Sequence, residues 1–415
     1  MANIFIYSVH FYLKGDHPLL TLLIFVLTYV LIAIQNIGRF SLSRPAASTI
    51  GVALILAFEL MSFDEAISAI DFHTIVLLFG MMVLTAYLGI SGFFDYLAMR
   101  ILTVSKNSKR LLAILIISSA FLSALFVNDT ICVFMTPVVV RIAMASNLNP
   151  IPLLIALATS ANIGSASTIV GNPQNMLIGM SSKMSFIEFA KNIAPISAIC
   201  LIPNFLLIYL IYRKDFRNFK VTKTETHLDR KLAYRTLAVF IFVLILFILE
   251  VYPISISALL GAALIFLFGG IDPRKALAKV DGGLLLFFCN LFIIMHAFER
   301  DYGHYLVSAL ALEKDLASYF LASFVTVAGS NLVSNVPFVM MALPVAKLDG
   351  EFWLILAMAS TFAGNLTLLG SVANLIVAEI AQRYGINLSF GEYLKVGVPL
   401  TFVTVIIGTL MLYYL

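Results

Sequence analysis

Apolar runs of about twenty residues follow one another along this chain, and the polar positions between them fall into short clusters. About twenty apolar residues in a helix cross the hydrocarbon layer of a bilayer. The alternation therefore predicts spans at 18–36, 45–62, 72–90, 150–180, 187–212, 236–252, 254–270, 282–297, 352–384 and 395–415. Two more apolar stretches, 109–146 and 316–347, carry Asn and Ser in their middles where a simple span carries Leu. They are expected to be re-entrant hairpins, because irregular backbone at membrane depth is tolerated only where protein or water surrounds it. The runs 150–180 and 352–384 contain Gly164, Gly171, Gly364 and Gly370, with Pro173 in the first, and are expected to unwind there.

Composition agrees with the pattern. Of 415 residues, 61% are hydrophobic and 12% charged, which excludes a soluble enzyme and points to an integral helical membrane protein. Cys132, Cys200 and Cys289 lie inside apolar runs without metal-ligand spacing and read as small buried hydrophobes. The N-terminal stretch lacks a basic region and a small-residue cleavage site, so no cleaved signal peptide is expected. All of the 26 Lys and Arg except Lys14, Lys183, Lys191, Arg300, Lys314 and Lys347 fall in or at the edge of 36–45, 91–110, 141–149, 213–235, 271–281 and 384–395. Ten crossings put those segments on one side, and the positive-inside rule makes it cytoplasmic, with both termini outside. The most basic piece, 213–235, reads as a cytoplasmic linker rather than a nucleic-acid or lipid site.

A linker in mid-chain invites comparison of what it joins. AISAIDFHTIVLLF (66–79) matches ALAKVDGGLLLFFC (276–289), placing Asp71 over Asp281 as expected helix N-caps. VNDTICVFMTP matches SNVPFVMMALP (334–344), with Asn128 over Asn335 and Pro137 over Pro344. SANIGSASTIVGNPQN (160–175) matches ASTFAGNLTLLGSVAN (359–374), with Thr168 over Thr367, Gly171 over Gly370 and Asn175 over Asn374. The expected fold is thus an all-α membrane protein of two inverted repeats, 1–212 and 236–415, each of five transmembrane helices, one of them broken, plus one hairpin. Five crossings per repeat force the second copy in upside down, and inverted repeats with discontinuous helices mark a secondary transporter.

The candidate site follows from the polar tips and the breaks. The first half supplies Asn128, Asp129, Thr130, Gly171, Asn172 and Asn175, and the second Ser334, Asn335, Gly370, Ser371 and Asn374. Unwound segments expose carbonyl oxygens to cations and helix N-termini to electron-rich oxygens, so the set suits a small oxygen-rich solute or ion. Asp129 stands apart, because a carboxylate at mid-membrane costs about 2.5–3.5 kcal/mol and such groups mark ion paths or proton relays. Capping of the hairpin's second arm is its structural alternative. Neither a catalytic pair nor a His beside the tips is present, which weighs against an intramembrane enzyme.

These residues carry a resemblance. The chain resembles the ion transporter superfamily over nearly its whole length. In the divalent anion:sodium symporter branch each hairpin tip bears Ser-Asn-Thr and a downstream Pro; here the triplets read Val127-Asn128-Asp129 and Ser334-Asn335-Val336, with Pro137 and Pro344. The Gly-x-Pro-x-Asn of the broken span appears as GNPQN at 171–175 and in reduced form as GSVAN at 370–374. The Asn-Asp pair with GNPQN is more similar to the arsenical pump membrane protein and anion permease branch.

The resemblance implies an elevator-type carrier working as a homodimer in the plasma (inner) membrane. Residues 18–62 and 236–270 would be its scaffold, and it would need no cofactor. It implies arsenite or antimonite efflux by exchange with protons carried on Asp129. The alternatives are sodium- or proton-coupled transport of dicarboxylates or inorganic oxyanions, and sodium/proton antiport. Val127 and Val336 stand where the symporter branch has hydroxyl residues, which weighs against sodium-coupled dicarboxylate transport.

Overall fold

A chain immersed in hydrocarbon satisfies its backbone donors and acceptors most simply as helix, and helices make up nearly all of this one. The computed structural model describes residues 18–34, 36–37, 40–105, 107–216, 227–310, 315–346 and 350–414; the expectations for 1–17 and for the middle of the linker lie outside these. The chain opens with α1 (Pro18–Ile34), a short antiparallel pair β1 (Asn36–Ile37) and β2 (Phe40–Ser41), and α2 (Arg44–Ala57). One short helix, α3 (Phe63–Ser68), precedes α4 (Phe72–Ile90) and α5 (Phe93–Val104). Then come α6 (Ser108–Leu125) and α7 (Asn128–Ala145), the split pair α8 (Pro150–Ser165) and α9 (Pro173–Ser182), and α10 (Phe186–Ile211).

The second half repeats this order: α11 (Arg230–Leu249), α12 (Ile254–Phe268), short α13 (Pro273–Leu277), long α14 (Gly282–Leu310), α15 (Leu316–Val333), α16 (Asn335–Ala346), α17 (Phe352–Ala363), α18 (Val372–Arg383) and α19 (Phe390–Tyr413). Packing repeats as well. The contact of α2 with α14 is mirrored by that of α12 with α4; α6 with α8 by α15 with α17; α7 with α18 by α16 with α9. The last helices of the two halves, α10 and α19, pack on each other. Asp71 and Asp281 cap as expected, accepting from His73 N at 3.0 Å and Leu284 N at 2.9 Å.

Among the described residues seven helices are long and apolar enough to cross a membrane, namely α4, α6, α10, α11, α14 over Gly282–Tyr302, α15 and α19; α1, α2, α8, α12, α16 and α17 are shorter apolar helices. Both runs expected to break do so, at 166–172 and 364–371. Both expected hairpins are helix pairs joined through one or two residues.

Three boundaries differ from the sequence expectation. Residues 93–104 form a helix where a loop was expected: Phe94, Ala98 and Ile101 share one buried face and pack toward α7. The second half has no such break, and α14 runs on through the equivalent stretch. The first half bends at Ser91 and Gly92, where Gly92 takes φ +78, whereas Asp301 and Tyr302 stand at those positions in α14. The linker is shorter than 213–235, because Asp229 caps α11 by accepting from Leu232 N and the helix begins at Arg230.

The core is built around the broken helices. Every residue of α8 from Pro152 to Ser165 is buried, as is almost all of α17. A helix apolar on all sides belongs inside its protein. The outer helices turn Leu19, Leu23, Val26 and Val30 of α1 and Ile241, Ile245 and Leu249 of α11 outward, as a lipid-facing surface requires.

Candidate functional site

Each break is closed on itself by a carboxamide. In the first, Asn172 caps α9, its Oδ1 accepting from Asn175 N at 2.9 Å, and Pro173 fills the first helical position, where no N–H partner is needed. Asn175 Nδ2 then donates back to the carbonyls of Ser165, Ala166 and Thr168 at 3.3, 3.2 and 3.1 Å. In the second break Ser371 Oγ accepts from Ala373 N at 3.3 Å, and Asn374 Nδ2 donates to the carbonyls of Gly364 and Thr367 at 2.7 and 3.0 Å. The repeat alignment places Ser165 over Gly364 and Thr168 over Thr367, so the correspondence extends to single atoms. Gly171 is required for this fold-back, since a Cβ there would lie 2.2 Å from Ser165 O.

The first hairpin tip docks on the first break. Asn128 N donates to Gly171 O at 2.9 Å, Asn128 Oδ1 accepts from Asp129 N at 2.9 Å, and Asn128 Nδ2 donates to Asn162 Oδ1 at 3.1 Å. Asn162 is the centre of the site. Its Oδ1 also accepts from Ser371 Oγ at 3.1 Å, and its Nδ2 donates to Asn365 Oδ1 and Asn374 Oδ1, both at 3.0 Å. Its counterpart Thr361 reaches the other way: its hydroxyl accepts from Asn172 Nδ2 at 3.3 Å and Gln174 Nε2 at 3.4 Å and donates to Asn175 Oδ1 at 3.4 Å.

The second tip is built differently. Ser334 joins α15 to α16 with φ +80, and Asn335 begins α16. Asn335 Oδ1 is buried without a hydrogen-bond partner among the described residues, and so is Asn331 Oδ1, one turn earlier. Both side chains lie against the second break: a Cβ on Gly364 would stand 3.4 Å from Asn335 Nδ2, and one on Gly370 would stand 2.9 Å from Asn331 Oδ1.

Asp129 is the single ionisable residue of the expected set. It is half-buried in the first turn of α7, where the helix N-terminus favours an anion, with Thr130 beside it. Arg44 at the start of α2 and Asp281 ahead of α14 are the charged groups whose fields reach it. Among the described residues no three His, Cys, Asp or Glu side chains gather as metal ligands.

All eleven expected residues thus lie at the tips or the breaks, but their parts differ. Asn175 and Asn374 hold the breaks in shape and keep no amide hydrogen for a solute. Asn162, Thr361 and Asn331 were not singled out from sequence. The one signal for the first two was their shared register in the repeat alignment, where Asn162 stands over Thr361. Asn290, opposite Gly80 in the repeat, is a helix tie: its Nδ2 donates to Ser48 Oγ and Thr49 Oγ1 of α2 at 3.1 and 2.9 Å.

Many apolar helices around two breaks and two hairpin tips that meet in a buried carboxamide cluster define a multi-pass membrane transporter. The comparisons specify which kind. A family model described as a citrate transporter matches residues 29–351, and the chain belongs to that family, within the ion transporter superfamily. It is 29% identical to the silicon efflux transporter LSI3 of Oryza sativa subsp. japonica, covering 92% of this chain and 94% of that one. It is 26% identical to the putative transporter arsB of Dictyostelium discoideum, covering 94% and 91%. Among solved structures the YdaH transporter of Alcanivorax borkumensis shares the fold with a TM-score of 0.61 at 14% identity, covering 96% of this chain and 98% of that one.

Proposed function

We propose that this protein is a secondary transporter that exports a small, fully protonated hydroxide acid, arsenous or antimonous acid, in exchange for protons. The observation that carries the reading is the pair of buried carboxamide oxygens on Asn331 and Asn335, unpartnered among the described residues, on two side chains that lie against the second break. A buried acceptor without a partner is costly, and a solute that brings O–H donors relieves that cost. A hydroxide acid brings several such donors, whereas a fully ionised dicarboxylate brings none and fully ionised citrate only its one hydroxyl. The remaining side chains of the site are neutral except Asp129, which would repel a dianion. The names of the rice and Dictyostelium relatives, a silicon efflux transporter and a putative arsB transporter, support the same solute class.

A neutral solute takes no energy from the membrane potential, so concentrative export needs a coupled ion. One exchanged proton supplies about 2.3 kcal/mol per 100 mV, plus any pH difference. Asp129 is the group to carry it. In this reading the two halves lie inverted in the plasma membrane with both termini outside, and 109–146 and 316–347 are re-entrant. The hairpins and broken helices move as an elevator against α1, α2, α11 and α12, within a homodimer.

The second reading is transport of a citrate-type anion coupled to sodium or protons, which the family description favours. Arg44, whose field reaches Asp129, would offset part of the repulsion. The deciding experiment follows arsenous acid accumulation in proteoliposomes under a pH gradient, a sodium gradient, and neither. Accumulation that requires the pH gradient, and that Asp129→Asn abolishes while downhill exchange continues, is the expected result. Full concentrative transport by Asp129→Asn refutes the role of Asp129, and citrate accumulation without arsenous acid movement replaces the solute.

A further inference from the structure

Asn162 has no hydrogen-bonding capacity left for a solute. Its oxygen accepts from Asn128 Nδ2 and Ser371 Oγ at 3.1 Å each, and its two amide hydrogens go to Asn365 Oδ1 and Asn374 Oδ1 at 3.0 Å each. Three of those four partners belong to the second half of the chain, although Asn162 belongs to the first. The fourth, Asn128, is the neighbour of Asp129 and accepts that residue's own backbone N–H at 2.9 Å. An unbroken chain of bonds therefore runs from the tip that bears the carboxyl group to both ends of the opposite break.

The return route is weaker. Thr361 offers one hydroxyl to three partners at 3.3–3.4 Å, and none of them is on the second hairpin. The second tip's Asn335 Oδ1 has no partner among the described residues through which to join such a chain.

We infer that Asn162 is a positioning residue that makes the second half-site respond to the charge on the first hairpin tip. When the Asp129 carboxyl changes charge its helix turn shifts, Asn128 shifts with it, and Asn162 pulls on Asn365, Ser371 and Asn374 together. The second break then changes shape in step with the proton. This rests on the proton-exchange reading for the event at Asp129.

Other charges near this path are Arg44 and Asp281, which act on Asp129; Glu379 of α18, which acts on Arg44; and Asp95 of α5, paired with Arg141 farther along α7. Helix α8 brings no charged side chain. An Asp129→Asn control therefore separates its titration from theirs.

The test is amide hydrogen exchange of the full-length purified protein at acidic and alkaline pH, with protection of residues 364–374 corrected for the intrinsic pH dependence of exchange. Wild type is expected to change its protection there with pH, while Asn162→Ala and Asp129→Asn do not. Asn162→Leu keeps a similar volume without donors, acceptors or a titratable group, and is expected to behave like Asn162→Ala should the latter fold poorly. A pH response that persists in these Asn162 variants, or that wild type lacks, overturns the inference. In proteoliposomes the same variants should lose proton-driven accumulation by a far larger factor than downhill arsenous acid exchange, whereas a defect of folding alone lowers both by the same factor. If wild type moves no arsenous acid, the proposed solute fails, and the exchange measurement still decides the role of Asn162.

Discussion

Ser334 sits at φ +80, ψ 158, a backbone region that residues with a Cβ avoid at a cost of about 1–3 kcal/mol. Its counterpart Val127 takes an ordinary φ of −59 at the first tip. The strained residue is also the one that presents a hydroxyl at the second tip. Ser334→Gly is accordingly expected to stabilise the purified protein by about 1 kcal/mol and to slow transport, a pairing that thermal unfolding and flux assays check together. Legibility at this scale follows solvation. Asn128 and Asp129 stood out in sequence because polar groups inside an apolar run are expensive. Asn162 did not, since one Asn within a helix resembles any small polar residue, and its partner in the repeat register is Thr361 rather than a second Asn. Its importance arises only when α8 is packed between the first tip and α18. The amide orientation of Asn175 and Asn374 was equally hidden: the repeat marked both as paired, and the fold shows them holding carbonyls of their own breaks.

Helices α6 and α8 cross at a point where no side chain fits. A Cβ on Gly164 would lie 2.1 Å from Ala120 O, so Gly164→Ala must push the first hairpin arm away from the broken helix. Overpacking of this kind costs about 1–3 kcal/mol, and loss of thermal stability is the expected outcome. Gly391, with open space around it, provides the comparison, where Ala should stay within about 0.5 kcal/mol of wild type. Span positions were legible because lipid solvent selects for length and apolarity, and the glycines with Pro173 marked the breaks. Helix α5 was not, because its twelve residues mix Asp95 and Arg100 with an apolar face and resemble a loop until α7 covers that face. The ends of α14 and α11 are hidden in the sequence for a related reason: charged residues continue a helix beyond the point where hydropathy stops.

The packed pairs divide the molecule in a way that covalent ties can probe. His73 Nδ1 and Ser255 Oγ lie 2.8 Å apart between α4 and α12, and Gly80 meets Ala258 so closely that these helices form one body. A cleft of about 400 Å³ separates Met180, Lys183 and Met184, beside α9, from Glu250, Val251 and Tyr252 between α11 and α12. If the broken helices move against the scaffold, bridging Met184→Cys to Tyr252→Cys with a bifunctional reagent should arrest transport. A His73→Cys/Ser255→Cys disulfide should leave it running, and equal inhibition by both would refute the division. The repeated order of elements was readable from three aligned segments, because each carries its polar residues at fixed offsets. The place where the halves join was not. There Asp229 N donates to Ser91 O at 2.9 Å, and His227 O stands 2.1 Å from where a Cβ of Gly92 would be. At this seam the chain is buttoned to the first half by backbone alone, one to three residues before the opening helix of the second. Covalent continuity upstream of His227 becomes dispensable: the chain could be severed or a reporter spliced in there with the seam still closed, whereas any side chain at position 92 would unfasten it.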